Sequence, residues 1–310
     1  MTGLLMAISL EEKLEVLEKD NAKGYLSPFV NVIGTGLNSG LYNSAKTLTP
    51  IIGFNLKISA VLIPIPDSDK IYYAKAPKAI DPLTGKKIWE DVETATIFGG
   101  KGTPHAVNSV VKEAFIAAGK IPPDPFKSAN GSDFSVLPLP CASLSWGLPF
   151  GNEVLIRYMP PIKPHEEVGD IQFYGFGLKH DLIQWLPISL PVLDVAAQFV
   201  FQNFKAADIL EISTKSINLH ASATLPIVSI YGGLGYESAN LEASYTVYDV
   251  DADGEKISDN FKKESLKISS ENDFKATAGL KFSILPFVNV YGDYSVAKYN
   301  SIHAGIGIGF

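Results

Sequence analysis

The sequence predicts an all-β fold: a transmembrane, antiparallel, up-and-down β-barrel of roughly 12 strands, with 10 to 14 as the range, and a short N-terminal helical and irregular plug. Three observations carry this. The closing stretch alternates to its last residue, with Ile302, Ala304, Ile306, Ile308 and Phe310 on one face and Ser301, His303, Gly305, Gly307 and Gly309 on the other. That is the period of a strand with one greasy and one small, polar face, and too few helices are in view to cover the greasy side of a large sheet. Charged residues make up only 19% of the 310 residues, whereas Gly (26), Tyr (13) and Phe (17) are plentiful. Finally, no apolar run approaches the roughly 18 residues a transmembrane helix needs. Apolar residues placed at every second position fit lipid outside and a polar lumen inside.

At the N-terminus, Met1 to Ala7 is too short for the apolar core of a secretion signal and lacks a basic flank. A barrel must be exported, so the expectation is that a leader was removed or that the true start lies upstream. Ser9 reads as an N-cap with Glu12 three residues on, and Leu10, Leu14 and Leu17 line one side of the helix that follows. This helix is expected to end near Asn21 to Gly24. From Tyr25 to Pro50 the chain is Gly-, Asn- and Ser-rich. Residues 1–50 are therefore expected to form a helix and a glycine-rich plug or a periplasmic tail, with Leu37, Asn38, Leu41 and Tyr42 as plug candidates. Residues 51–310 form the barrel, with a helical insertion at about 104–120 suggested by Val107, Val110, Val111, Ala114, Phe115 and Ala118.

The first strand is Phe54 to Leu62, and Lys86 to Phe98 reads as a return strand. Asp133 to Leu148 and Glu153 to Met159 flank the turn GLPFGN, and Ile171 to Trp185 follows a polar loop. Leu193, Val195, Ala197, Phe199 and Phe201 mark the next outward face. Ile217, Leu219, Ala221, Ala223 and Leu225 then stand opposite Ser216, Asn218, His220, Ser222 and Thr224. Two echoing Leu-Pro turns, at Leu225 and Leu285, make Ile227 to Val250 one long strand. Its apolar parity changes between Tyr236 and Leu241, which predicts a bulge near Ser238 to Asn240. The loop DVDADGEKISDN would be extracellular and the tight Leu-Pro turns periplasmic.

The segments DNAKGYLSPFVNVIGTGLNSGLY, ETATIFGG, GLPFGNEVLIRYMP, GLGYESANLEASYTVYD and YGDYSVAKYNSIHAGIGIGF resemble an uncharacterised family of predicted outer-membrane proteins of the Bacteroidetes and Chlorobi lineages. They cover both ends and the middle of the chain. The resemblance implies a barrel in the bacterial outer membrane, without a settled activity. The layout is also similar to barrels that carry hydrophobic compounds such as long-chain fatty acids behind an N-terminal plug, a likeness of architecture alone.

The chemistry is sparse. A net charge of −7 argues against a nucleic-acid partner, and the single Cys141 excludes an internal disulfide. Asp249, Asp251 and Asp253 mimic the first half of a calcium loop, but Asn260 stands where a bidentate Glu is required. A solvated acidic hairpin without metal is the expectation, and no cofactor is implied. By parity Asn218, His220, Lys275, Lys281, Asp293 and His303 face the lumen, where they line a permeation path or hold a plug by ion pairs. His220 and His303 have polar neighbours, yet small polar residues line any lumen, so no enzyme is expected.

The expected function is a passive channel or transporter of small solutes, hydrophobic ones included. The expected partners are the lipid bilayer, a small hydrophobic ligand, and the outer-membrane assembly machinery that reads a terminal aromatic such as Phe310. The rival readings are a non-conducting surface barrel that binds partners through its loops, and a soluble β-rich lipid-binding protein. Arginine is expected to be better tolerated at inward Ser301 than at outward Ile306.

Overall fold

The computed structural model describes residues 10–15, 17, 19–80, 87–103, 117, 128–163, 170–185, 192–207, 209–250 and 256–309. The Ser9 cap, the 104–120 insertion apart from residue 117, Asp251, Asp253 and Phe310 therefore lie outside the described residues. Two helices, α1 (Leu10–Glu15) and α2 (Lys19–Asn38), precede the strands. These are β1 (Phe54–Pro64), β2 (Ile71–Ile80), β3 (Lys87–Ala95), β4 (Val136–Leu148), β5 (Asn152–Ile162), β6 (Ile171–Asp181), β7 (Leu193–Ala206) and β8 (Leu210–Thr224), then β9 (Val228–Val250), β10 (Lys256–Ser269), β11 (Phe274–Leu285), β12 (Val288–Val296) and β13 (Ser301–Gly309).

Among the described residues the ring closes with ten strands, the lower end of the expected range. It runs β1, β4, β5, β6, β7, β8, β9, β11, β12 and β13, and β13 pairs back onto β1. The row of paired residues through Val228, Phe282, Val290, Ile306, Ile58, Ala142, Tyr158, Tyr174, Asn203 and Ser213 returns to β9 at Asn240. Arriving further along the same strand is the stagger that tilted, closed strands require. The expected return strand at Lys86 to Phe98 is β3, but it pairs with β2 in a separate two-stranded sheet, and β10 pairs only with β9. Alternation tells which residues share a face; it does not tell whether a strand pairs within the ring.

The expected bulge in β9 is absent. Its pairing with β8 runs unbroken from Leu210↔Ala243 to Thr224↔Ser229. What changes at Tyr236 to Leu241 is the environment, not the backbone. In the lower half of β9 the outward residues are Ile230, Leu234 and Tyr236, all exposed. In the upper half Ala239, Leu241, Ala243 and Tyr245 point inward and are buried, while Glu242 and Ser244 point outward. The inner face changes in the same way on β1, where Lys57 and Ser59 give way to Val61 and Ile63, and on β8, where Leu210 and Ile212 precede Thr214, Ser216 and Asn218. The barrel thus has two storeys. The lower one is apolar outside and polar inside, as lipid demands; the upper one is apolar inside and, along β7, β8 and β9, polar outside, as water demands, while β1 and β4 keep the outward Leu62 and Val136.

At the lower end the strand connections expose Phe150 (85%), Trp185 (72%) and Phe287 (57%). Exposed aromatic rings at one level, with the amphipathic Trp185 among them, suit a membrane–water interface. Closure leaves no ring edge in lipid, where unpaired backbone groups are costly. No helix among the described residues is long and apolar enough to cross a membrane.

The upper storey is filled by α1 and α2. Leu10, Leu14, Tyr25, Leu26, Phe29 and Ile33 pack with Ile63, Leu139, Phe173, Phe204, Ile212 and Leu241 in one apolar core. Sequence propensity ended the helix near Gly24, whereas α2 continues through GYLSPFVNVIGTGLN to Asn38. Burial inside the barrel outweighs the intrinsic cost of Gly and Pro in a helix. The glycines are used for close approach: a Cβ on Gly34 would stand 2.6 Å from that of Ala239, and one on Gly24 would enter the Tyr72 ring. We expect Gly34→Ala to destabilise the protein by about 1–2 kcal/mol, overpacking exceeding the gain in helix propensity. Adding Ala239→Gly should recover most of the loss in the urea midpoint. At the rim Asn31 donates to Tyr299 (3.1 Å), whose hydroxyl donates to Asp69. Burial, together with that carboxylate, raises the Tyr299 pKa and keeps the latch protonated.

Candidate functional site

Below α2, residues 37–49 run through the lower storey of the barrel, and the wall receives them with polar groups. The last carbonyls of a helix lack intrahelical partners and carry partial negative charge. No basic residue stands in the last turn of α2, so the strands supply the cations. Leu37 O accepts from Arg157 on β5 and, at 2.6 Å, from Gln202 on β7; Asn38 O accepts from Lys275 on β11. Arg157, 1% exposed, also donates to Gln202 Oε1 at 2.8 Å and Cys141 Sγ at 3.1 Å. Gly40 then turns the chain at φ +66°, directly against His303, where a Cβ would clash with the ring.

Further down, Ser39 and Ser301 share a hydrogen bond of 2.8 Å, and Tyr42 stacks on His220 with centroids 4.0 Å apart. Tyr231 donates to Asp293 (2.9 Å), which also bonds His303 Nδ1 at 2.7 Å. Ala45 N donates to Ser222 Oγ at 2.9 Å. Lys179 pairs with Glu153 at 2.7 Å and donates to Lys46 O, while Glu153 accepts from Leu48 N. Lys275 pairs with Glu237 at 2.8 Å, and Asn272 donates to the same carboxylate. The segment is thus held by β5, β6, β7, β8, β11 and β13, most of the way around the ring.

The sequence places this scaffold in a family. A model of the family described as a family of unknown function, DUF6588, matches residues 10–310. The chain belongs to the DUF6588 family. No curated protein matches it significantly. Among solved structures this DUF6588 protein is similar to the outer membrane protease OmpT of Escherichia coli, with 11% identity, 86% of this chain and 100% of that chain covered, and a TM-score of 0.38. It is also similar to Ail, the attachment invasion locus protein of Yersinia pestis, with 11% identity, coverages of 84% and 100%, and a TM-score of 0.27. The translocator domain of the autotransporter NalP of Neisseria meningitidis gives 10%, 83% and 88%, and 0.29. At these values the fold rests on the strand pairing itself, and no activity transfers.

Within this DUF6588 barrel, Leu37, Asn38, Leu41 and Tyr42 are buried in the lumen. Asn218, His220, Lys275, Asp293 and His303 are buried on the inner wall, and Lys281 lines a cavity at its lower end. Asp251, Asp253 and Phe310 lie outside the described residues, as does the side chain of Asp249. Among the described residues no group of three or more His, Cys, Asp or Glu side chains is placed to hold a metal. The Asp293–His303 pair has the hydrogen bond of a base and its orienting carboxylate, but both side chains are 1% exposed behind the N-terminal segment. The sequence reading missed Arg157, Gln202, Glu153, Lys179 and Glu237. Parity was the available signal: Glu153 and Arg157 alternate with the outward Val154, Ile156 and Tyr158.

Proposed function

We propose that this protein is a barrel of the bacterial outer membrane that passes small solutes when its N-terminal plug moves, and that it is not an enzyme. The observation that supports this is the polar, charged lumen wall around residues 37–49. A lumen meant to stay filled is more stable with apolar side chains, because buried ion pairs rarely recover their desolvation cost. A wall carrying Arg157, Lys179, Glu153, Lys275 and Glu237 is favourable in two states: occupied by the segment, or hydrated after it leaves. The apolar upper storey keeps α2 as the anchor, and the polar residues 39–49 are the part suited to move. Such a wall favours polar solutes over the hydrophobic compounds that the fatty-acid-carrier layout suggested.

A cysteine pair tests this. Ser39 and Ser301 touch at 2.8 Å, so Ser39→Cys with Ser301→Cys, on a Cys141→Ser background, should form a disulfide that pins the segment. In planar bilayers the oxidised protein should be silent and the reduced protein should show discrete openings. Deletion of residues 39–49 should give larger, persistent ones. No conductance in any of these states would leave a non-conducting surface barrel that works through its loops.

A further inference from the structure

The polar contacts that seat the segment leave one region of the lumen unbalanced in charge. Between residues 41–49 and the lower ends of β1, β5, β6 and β11 lies a cavity of about 240 Å³, with exposed Lys46 and Thr49 at its mouth. Four lysines line it, Lys46, Lys57, Lys179 and Lys281, against one carboxylate, Glu153. That carboxylate is already engaged by Lys179 at 2.7 Å and by Leu48 N at 3.2 Å. Asp194 acts on Lys281 from outside the lining, which still leaves an excess of positive charge.

Lys57 is the telling residue. It is 3% exposed, it borders the cavity, and its ammonium meets the ring of Tyr291 at 5.9 Å. Among the described residues its ammonium makes no hydrogen bond and no ion pair within 4 Å. The charged groups acting on it are Glu153, Arg157 and Lys179, two of them cations. Asn43, also buried and bordering the cavity, has an amide Nδ2 without an acceptor, and the amide oxygens of Asn55 and Gln198 on the same lining have no donor. A buried ammonium and a buried amide donor that share a cavity with further ammonium groups are costly unless an acceptor fills it. The cavity exceeds several times the roughly 30 Å³ share of a water molecule, so a small ligand fits in it.

We infer that this cavity is a binding site for a small oxyanion of the phosphate or carboxylate class, with Lys57, Lys281 and Asn43 as its principal donors. An oxyanion presents several acceptors at once and makes charge-assisted hydrogen bonds to both ammonium groups. The mouth lies at the turn end, so the anion enters either free in solution or as the headgroup of a phospholipid in the adjoining leaflet. The site does not depend on whether the barrel conducts, since binding is read without a membrane potential.

The test is calorimetric titration of the refolded full chain with inorganic phosphate, in an uncharged, phosphate-free detergent at fixed ionic strength. One saturable site is expected, weakened at least about tenfold in Lys57→Gln and in Lys281→Gln, and unchanged in Lys205→Gln, an exposed lysine on β7. Lys57→Arg keeps the charge and should retain binding, which separates loss of the site from loss of folding. If Lys57→Gln does not give the compact, heat-modifiable band, Lys281→Gln decides alone. A second arm compares nanodiscs of phosphatidylglycerol with nanodiscs of phosphatidylcholine. A rise in the unfolding midpoint with the anionic lipid that vanishes in Lys281→Gln, without saturable phosphate binding, assigns the site to a headgroup. Absence of both effects, or phosphate binding equal in all variants, overturns the inference.

Discussion

Replacing Glu237 with Ala is expected to lower the free energy of unfolding by about 3–5 kcal/mol. Glu237 and Lys275 are 1% and 3% exposed and 2.8 Å apart, and the same carboxylate receives Asn272. Removing it leaves a buried ammonium with Asn38 O as its one acceptor among the described residues. The penalty is that of an uncompensated charge, not the net worth of the pair. Glu237→Leu combined with Lys275→Met removes both charges and should recover most of the loss, so the cycle of Glu237→Leu, Lys275→Met and their combination shows a large coupling. Urea unfolding in micelles, followed by the heat-modifiable band, measures all of them. A cost below about 1 kcal/mol for Glu237→Ala would mean that water already reaches the pair, and the description of a lumen filled by residues 37–49 would fail.

Alternation alone made the fold legible. The last strand as far as Gly309 and the two faces of Ile217 to Leu225 sit in the structure as their parity requires. The storeys were less legible, because a period of two says which residues share a face and nothing about the medium that face meets. The parity change in β9 was therefore assigned to a bulge, when the strand had simply left the lipid. Helix α2 was hidden for a different reason. Gly24, Gly34 and Gly36 lower helix propensity, and their value appears only once Tyr72, Ala239 and Leu139 stand beside them. The lumen contacts combine both difficulties: the wall residues follow parity, but most of their partners are backbone groups of the N-terminal segment, which no pattern of side chains reveals.

The two-storey description makes one more demand, on residues that share an outward parity but not a medium. Ile306 on β13 is half exposed between Ile58 and Val290, in the storey whose outer face is apolar. Ile306→Arg is expected to cost about 2–4 kcal/mol near the bilayer midplane. Ser244 points outward in the upper half of β9, is exposed, and pairs with Ser265 of β10. Ser244→Arg should stay within about 0.5 kcal/mol of the parent, as a solvated surface change does. Inward Ser301, which alternation alone marked as the mild site for arginine, is the wrong control: it is 1% exposed and bonded to Ser39, so a guanidinium there has to displace the segment. Folding free energies in phospholipid vesicles compare the first two directly. Equal penalties at Ile306 and Ser244 would place both in the same medium, and the parity change in β9 would then need another cause than the edge of the membrane.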